Sequence, residues 1–270
     1  MSKVRRLGAY NVEQIRPDVF AIDDDQMESM YLICGKDKAL LIDTGSNPEP
    51  VMPVVRTLWN GPVELALTHA HFDHMYHCDE FDSVSVGEQD IKAWYKSLWL
   101  VVFLGTVGSG KKAKHYPINS YHPLNTGDTL DLGGKTIRIL EAKGHTPGSL
   151  IYIDDADECL FIGDAFGWMW MPGCSVLSEY INSLTKLIPE LKPYKDYLVM
   201  DGHRIQNTPK GVALADMPPA YVDAENMREL CSDILTGEIK PVKEEKFFGF
   251  QTAEYEGHGT HVVIRKSKIK

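Results

Sequence analysis

Apolar positions in the first third of the chain fall in short runs rather than helical stripes. Val19-Phe20-Ala21-Ile22, Tyr31-Leu32-Ile33 and Ala39-Leu40-Leu41-Ile42 each read as a strand. Gly35 to Lys38 turns between the last two, and Asp43-Thr44-Gly45-Ser46 closes that hairpin. Pro50 to Trp59 predicts a helix, stopped by Asn60-Gly61-Pro62. Val63 to Leu67 predicts a further strand that delivers the chain into a histidine-rich run. Val84-Ser85-Val86 reads as a short strand and Glu88 to Lys96 as a helix, whereas 97–123 has no clear period. Strands then return. Thr129 to Leu132 and Thr136 to Leu140 flank Gly133-Gly134, a hairpin signal, and Leu150 to Ile153 and Cys159 to Ile162 flank an acidic turn. Glu179 to Leu191 predicts a helix, Tyr197 to Met200 a strand, and Tyr221 to Leu235 a helix ended by Gly237. Phe247 to Tyr255 and His261 to Arg265 predict a last hairpin around Gly257-His258-Gly259. This order lacks regular βαβ alternation, which points to stacked α/β layers with a mixed sheet rather than a barrel or a dinucleotide fold.

Bulk properties narrow the class. At 270 residues, 43% hydrophobic and 24% charged, the chain is expected to form one globular domain spanning 1–270. Residues 206–270 complete that domain as a helix plus hairpin. The formal net charge of −10 repels phosphate backbones, so nucleic acid is not an expected partner. Five cysteines, widely spaced and without a CxxC pair, fit reduced thiols rather than a disulfide framework. Arg5-Arg6 is not followed by an apolar signal segment, so a cytoplasmic location is expected. The uncharged stretch Ser97 to Gly110, about 14 residues, is short of the roughly 17–25 that a membrane span needs. No membrane association is expected.

Chemistry concentrates in His69-Ala70-His71-Phe72-Asp73-His74. In extended chain, residues 69, 71 and 73 face one side. A helix starting there swings His74 toward the same point. Neutral imidazoles and a carboxylate suit a zinc-type ion, and the run follows an apolar strand, where loops carry function. Three later segments supply further ligand types. Gly144-His145-Thr146-Pro147-Gly148-Ser149 lies between two strands, Gly163-Asp164 ends a strand, and Asp201-Gly202-His203 ends another. Each follows an apolar strand, so each is expected on the same sheet edge.

This ordered series, HxHxDH, GHTPGS, GD and GH, together with Leu41-Ile42-Asp43-Thr44-Gly45, resembles the metallo-β-lactamase-fold hydrolases over roughly residues 30–205. The resemblance implies a four-layer αβ/βα sandwich with two mixed β-sheets. It implies two Zn2+ ions per chain, with iron or manganese as alternatives. His69, His71 and His145 would hold the first ion, and Asp73, His74 and His203 the second, with Asp164 bridging. Asp43 is expected to orient a neighbouring ligand. Two such ions share a hydroxide nucleophile, and Asp73 is the expected catalytic proton carrier to the leaving group.

The substrate is less legible, since one scaffold hosts many chemistries. The expected reaction is hydrolysis of an ester-like, lactone or thioester bond of a small molecule. Cys159 to Phe166 and Gly173-Cys174 resemble the glyoxalase II group, but the C-terminal stretch does not resemble its glutathione-binding domain. Acyl-homoserine lactonases place a tyrosine shortly after the bridging aspartate, where this chain has Ala165-Phe166-Gly167-Trp168. The alternative from another class is a mononuclear iron oxidoreductase resembling persulfide dioxygenases; a phosphodiesterase of the same fold is a third reading. A homodimer is an admissible assembly. Gly105 to Lys112 nearly spells a P-loop, but Lys112 stands where a hydroxyl is needed. Trp168 to Met171, with Trp94 to Val107, is expected to wall an apolar pocket or an interface, and His77-Cys78 to pack beneath the site or line it.

Overall fold

A computed structural model describes residues 4–25, 28–91, 121–171, 175–210, 212–247 and 249–270. Eight strands form the first sheet in chain order. They are β1 (Arg5–Leu7), β2 (Tyr10–Arg16), β3 (Val19–Asp24), β4 (Ser29–Cys34), β5 (Ala39–Ile42), β6 (Val63–Ala66), β7 (Val84–Gly87) and β8 (Tyr121–Leu124). β1 to β5 are antiparallel; β5 to β8 run parallel, so the sheet is mixed. The second sheet has the order β14-β12-β11-β10-β9, from β9 (Thr129–Asp131), β10 (Thr136–Glu141), β11 (Leu150–Asp154), β12 (Cys159–Gly163) and β14 (Leu198–Asp201).

The alternation of side chains explains why these sheets stack. Ala21, Tyr31, Ile33, Leu40 and Ile42 of the first sheet meet Ile137, Ile139, Tyr152, Phe161 and Met200 of the second in one buried core. Their neighbours in sequence, Ile22, Met30, Leu32 and Leu41, face the other way onto Val54 and Val55 of helix α1 (Met52–Leu58). Behind the second sheet, Ile151, Ile153, Leu160 and Ile162 pack on α3 (Leu177–Leu191) and, past the short α4 (Arg204–Asn207) in the chain, on α5 (Ala220–Thr236). Strands buried on both faces read as near-continuous apolar runs. The layers are therefore helix, sheet, sheet, helix. Gly237 ends α5 in the left-handed conformation, at φ 77°.

A third sheet, order β13-β17-β16-β15, extends the expected pair. It comprises β13 (Trp168–Met171), β15 (Lys243–Phe247), β16 (Phe250–Gly257) and β17 (Thr260–Arg265). The stretch expected as one strand from Phe247 is thus two strands, and the 257–259 hairpin is present between β16 and β17. Trp168 to Met171 pairs its backbone in parallel with His261 to Ile264. The helix expected over Glu88 to Lys96 begins as a 3-10 turn at Glu88–Asp90, and 92–96 lies outside the described residues. So do Trp94 to Val107, the 105–112 loop and Cys174. Cys34, Cys78, Cys159 and Cys231 are buried thiols. Among the described residues, no helix is long and apolar enough to cross a membrane.

Candidate metal centre

Four chain segments meet at one edge of the stacked sheets. β6 lies parallel to β5 and hands the chain to His69 and His71, after which the short helix α2 (Phe72–Met75) carries Asp73 and His74. The loop between β10 and β11 presents His145. β12 and β14 run parallel, with Gly163 opposite Asp201, so Asp164 and His203 emerge side by side. The turn after β14 is stitched to the first sheet. Ser29 N donates to the Gly202 carbonyl at 2.8 Å, and the Tyr31 hydroxyl to that of Asp201 at 2.6 Å. Arg204, buried beside His203, forks onto Asp23 of β3 and also reaches Glu13 of β2.

The structure brings all seven expected ligand residues together. His71 Nδ1 lies 3.0 Å from His69 Nε2 and 2.9 Å from His145 Nε2. Asp73 Oδ2 lies 3.9 Å from both His74 Nε2 and His203 Nε2. Asp164 Oδ2 stands between the groups, 3.5 Å from His145 Nε2, 3.6 Å from His74 Nε2 and 3.3 Å from His203 Nε2. Three overlapping trios have ligand atoms within 4.8 Å of one another: His69, His71 and His145; His69, His74 and Asp164; Asp73, His74 and His203.

These spacings fit metal coordination. Nitrogen ligands at 2.0–2.1 Å around a tetrahedral ion lie about 3.3–3.4 Å apart along each edge. Three imidazoles converging this closely present ring nitrogens to one point, an arrangement that suits a shared cation. Buried atoms agree: His74 Nε2 and Asp164 Oδ1 have no hydrogen-bond partner among the described residues. The three trios could each hold a metal ion.

Neighbouring residues set which nitrogen is free. Asp43 Oδ2 accepts from His74 Nδ1 at 2.9 Å and from the Thr68 hydroxyl at 2.7 Å. Thr68 Oγ1, its proton given to Asp43, accepts from His69 Nδ1 at 3.1 Å. One carboxylate thereby leaves Nε2 of both His69 and His74 as the lone-pair atom. Asp43 takes a left-handed φ of 62°, which swings its carboxylate off the end of β5 toward Thr68. His77 is buried beneath the site rather than lining it. Its Nδ1 lies 2.8 Å from Glu80 and its Nε2 2.6 Å from the Asn47 carbonyl.

Electrostatics divide the cluster. Burial, reinforced by the neighbouring histidines, holds His69 well below the ordinary imidazole range and pushes His145 down to about 3. Burial lowers His71 too. For His74 and His203 burial pulls the same way but loses to carboxylates. Asp164, Asp43 and Asp73 raise His74 well above its ordinary value, and Asp164 lifts His203 to about 9. Burial would raise Asp164, yet His203 and His74 hold it well below the usual carboxylate range. Exposure follows the same split: His69 and His145 are 0% and 3% exposed, but the Asp73 and His203 side chains are 22% and 16%. Of these four side chains, the Asp73–His203 pair is the more exposed.

Thr68, Asp90 and Arg204 serve the site without standing out in the sequence. Their position beside ligand motifs or just after a strand is the one available signal, and many turn residues share it.

Comparison with known proteins agrees with this geometry. The family model described as metallo-beta-lactamase superfamily matches residues 23–168, more than half of the chain. Over 202 residues the chain is 26% identical to the human acyl-coenzyme A thioesterase MBLAC2, covering 65% of this chain and 72% of that one. Over 189 residues it is 28% identical to the atrochrysone carboxyl ACP thioesterase of Aspergillus fumigatus, covering 67% of this chain and 39% of that one. The chain thus spans under half of the fungal relative. The solved metallo-beta-lactamase from Pontibacter korlensis superposes with a TM-score of 0.48 at 17% identity, over 75% of this chain and 91% of that one. Motif order, sheet edge and matched span coincide, and the chain belongs to the metallo-beta-lactamase superfamily, as one of its metal-dependent hydrolases.

Proposed function

We propose that this chain is a two-zinc hydrolase of thioesters of small acyl groups. The observation that carries the two-metal reading is the place of Asp164 Oδ2, 3.5 Å from a nitrogen of one histidine trio and 3.3 Å from a nitrogen of the other. His69, His71 and His145 would hold one ion, Asp73, His74 and His203 the other, with Asp164 shared. Ions bound there lower the pKa of water toward about 7 and polarise a carbonyl. The choice of thioester among ester-like bonds is supported by two thioesterase relatives with different acyl carriers, coenzyme A and a carrier protein.

The chain's own residues do the rest. Asp43 and Thr68 hold His69 and His74 in the tautomers that ligation needs. Burial of the first trio keeps bulk water from one side of the cluster. Asp73, the more exposed carboxylate, takes up a proton on the open side and returns it to the leaving group. A thiol of pKa near 8.5 leaves as thiolate with little such help. Phe72 exposes an apolar edge between His71 and Asp73, in keeping with an acyl substrate.

The test is turnover of thioesters, lactones, esters, β-lactams and phosphodiesters by zinc-replete protein, with His71→Ala as blank. Thioester turnover lost in the blank is expected. Turnover confined to another class would replace the thioester reading. Silence throughout, with iron in the purified protein, would move the chain to oxidative chemistry.

A further inference from the structure

We propose that Asp90 is the positioning residue of the His69–His71–His145 half of the centre. It would act by tying two ligand loops from different sheets to a single carboxylate. This rests on the two-metal reading above.

Asp90 closes the 3-10 turn after β7 and is fully buried. Its Oδ2 accepts from Ala70 N at 2.9 Å and from the Thr146 hydroxyl at 2.7 Å. Its Oδ1 accepts from Gly148 N at 2.7 Å. Ala70 is the residue between ligands His69 and His71. Thr146 and Gly148 lie one and three residues after the expected ligand His145. All three ligands of one trio are thus fixed, through backbone and a hydroxyl, to one side chain that touches none of them.

The packing around Asp90 is close. A Cβ on Gly148 would lie 2.5 Å from Asp90 N, and one on Gly87 would lie 2.0 Å from the Gly148 carbonyl oxygen. The His145 loop therefore rests directly on the turn that carries Asp90. Thr146 is braced a second time, its backbone N donating to Ser149 Oγ at 3.0 Å. Three donors meet two oxygens, which only a carboxylate satisfies at this size. An asparagine can keep the Ala70 and Thr146 bonds with its oxygen, but then sets an N–H against that of Gly148.

Asp43 relates to the ligands differently. It bonds the His74 ring directly and reaches His69 through the Thr68 hydroxyl. Asp43 therefore spans both halves, whereas Asp90 braces the His69–His71–His145 half, and damage to Asp90 is expected to be selective.

The experiment strips metal from wild type, Asp90→Asn, Thr146→Val and Thr146→Ser, then titrates Co2+ against a chelator. Absorption and thermal melting of the metal-free proteins are read alongside. Expected are two ions in wild type. In Asp90→Asn and Thr146→Val, one ion should be weaker by about 10–100-fold with an altered spectrum and the other unchanged. Thr146→Ser should regain wild-type affinity. Wild-type affinity for both ions in Asp90→Asn and Thr146→Val overturns the proposal. So does equal weakening of both ions, or a lower melting temperature alone. If wild type binds a single ion, the two-metal reading fails by itself. Asp90 is then judged on whether that ion weakens in Asp90→Asn.

Discussion

Asp43 Oδ2 stands 2.9 Å from His74 Nδ1, between two fully buried side chains, and this contact decides which nitrogen of the ring faces the cluster. Asp43→Asn keeps the shape but places an amide N–H opposite the ring's own. The imidazole then protonates Nε2, the atom a metal needs. We expect a 10–100-fold loss in metal affinity or in kcat/KM for Asp43→Asn, with the fold intact. Metal titration and circular dichroism together check this; wild-type affinity in the variant would remove Asp43 from the site.

Protons and metal compete unequally at the two trios. His69, His71 and His145 are held neutral, so ion binding there should change little between pH 6 and 9. His203, lifted to about 9, and His74, raised above its ordinary value, must each give up a proton. The second ion's affinity should therefore rise with pH, about tenfold per unit for each proton displaced, and level off above pH 9 for His203. Calorimetric titration in buffers of different ionisation enthalpy counts the released protons. Identical pH slopes for both ions would contradict the division.

Gly202 has no room for a side chain. A Cβ there would lie 2.4 Å from Asp164 Oδ1 and 2.7 Å from His74 Cε1. Gly202→Ala should displace two ligands by fractions of an ångström while leaving the sheets paired. About a hundredfold loss of kcat/KM is expected, since small misplacements at a reacting centre cost that much. Steady-state kinetics with metal analysis tests it, and unimpaired turnover would show that the centre yields.

Glu28 is buried, and its Oε2 has no partner among the described residues. Burial first, then Asp24 and the charge of Asp73, push it up to about 8 from an ordinary 4.5. Between those values the folded chain holds a proton that the unfolded chain has lost. Stability therefore falls as pH rises from 4.5 to 8, by up to about 1.4 kcal/mol per unit. Glu28→Gln removes the titration and should melt higher than wild type at pH 8. Superimposable melting curves across that window would refute the assignment.

Much of this arrangement is legible in the sequence, for definable reasons. β4, β5, β11 and β12 are buried along their whole length, so their apolar runs are nearly unbroken. The seven expected ligand residues stand at or just beyond strand ends, where histidine and aspartate have no packing reason to cluster. β15, with Lys243-Glu244-Glu245-Lys246, is exposed and owes its shape to pairing with β16, which leaves no alternation to read. β13 finds β17 across the whole C-terminal third, and β1 and β2 carry too many charges to resemble strands. Asp90 is invisible for another reason. Its partners are backbone groups of loops distant in sequence, and an aspartate after a strand looks like any turn.

The parallel pairing of β12 with β14 also governs the order of assembly. Asp164 and His203 become neighbours only after the chain has laid down α3 and returned. Such distant pairings close late, because loop-closure entropy is spent before contacts reward it. The nascent chain already carries His69, His71, Asp73 and His74 in one short run, yet an ion captured there has no bridge and no partner from the second sheet. The proposed coordination shell would be complete only once both sheets have docked. On the proposed ligand set, tight metal retention would separate native chains from half-folded ones that have the motif but not the centre.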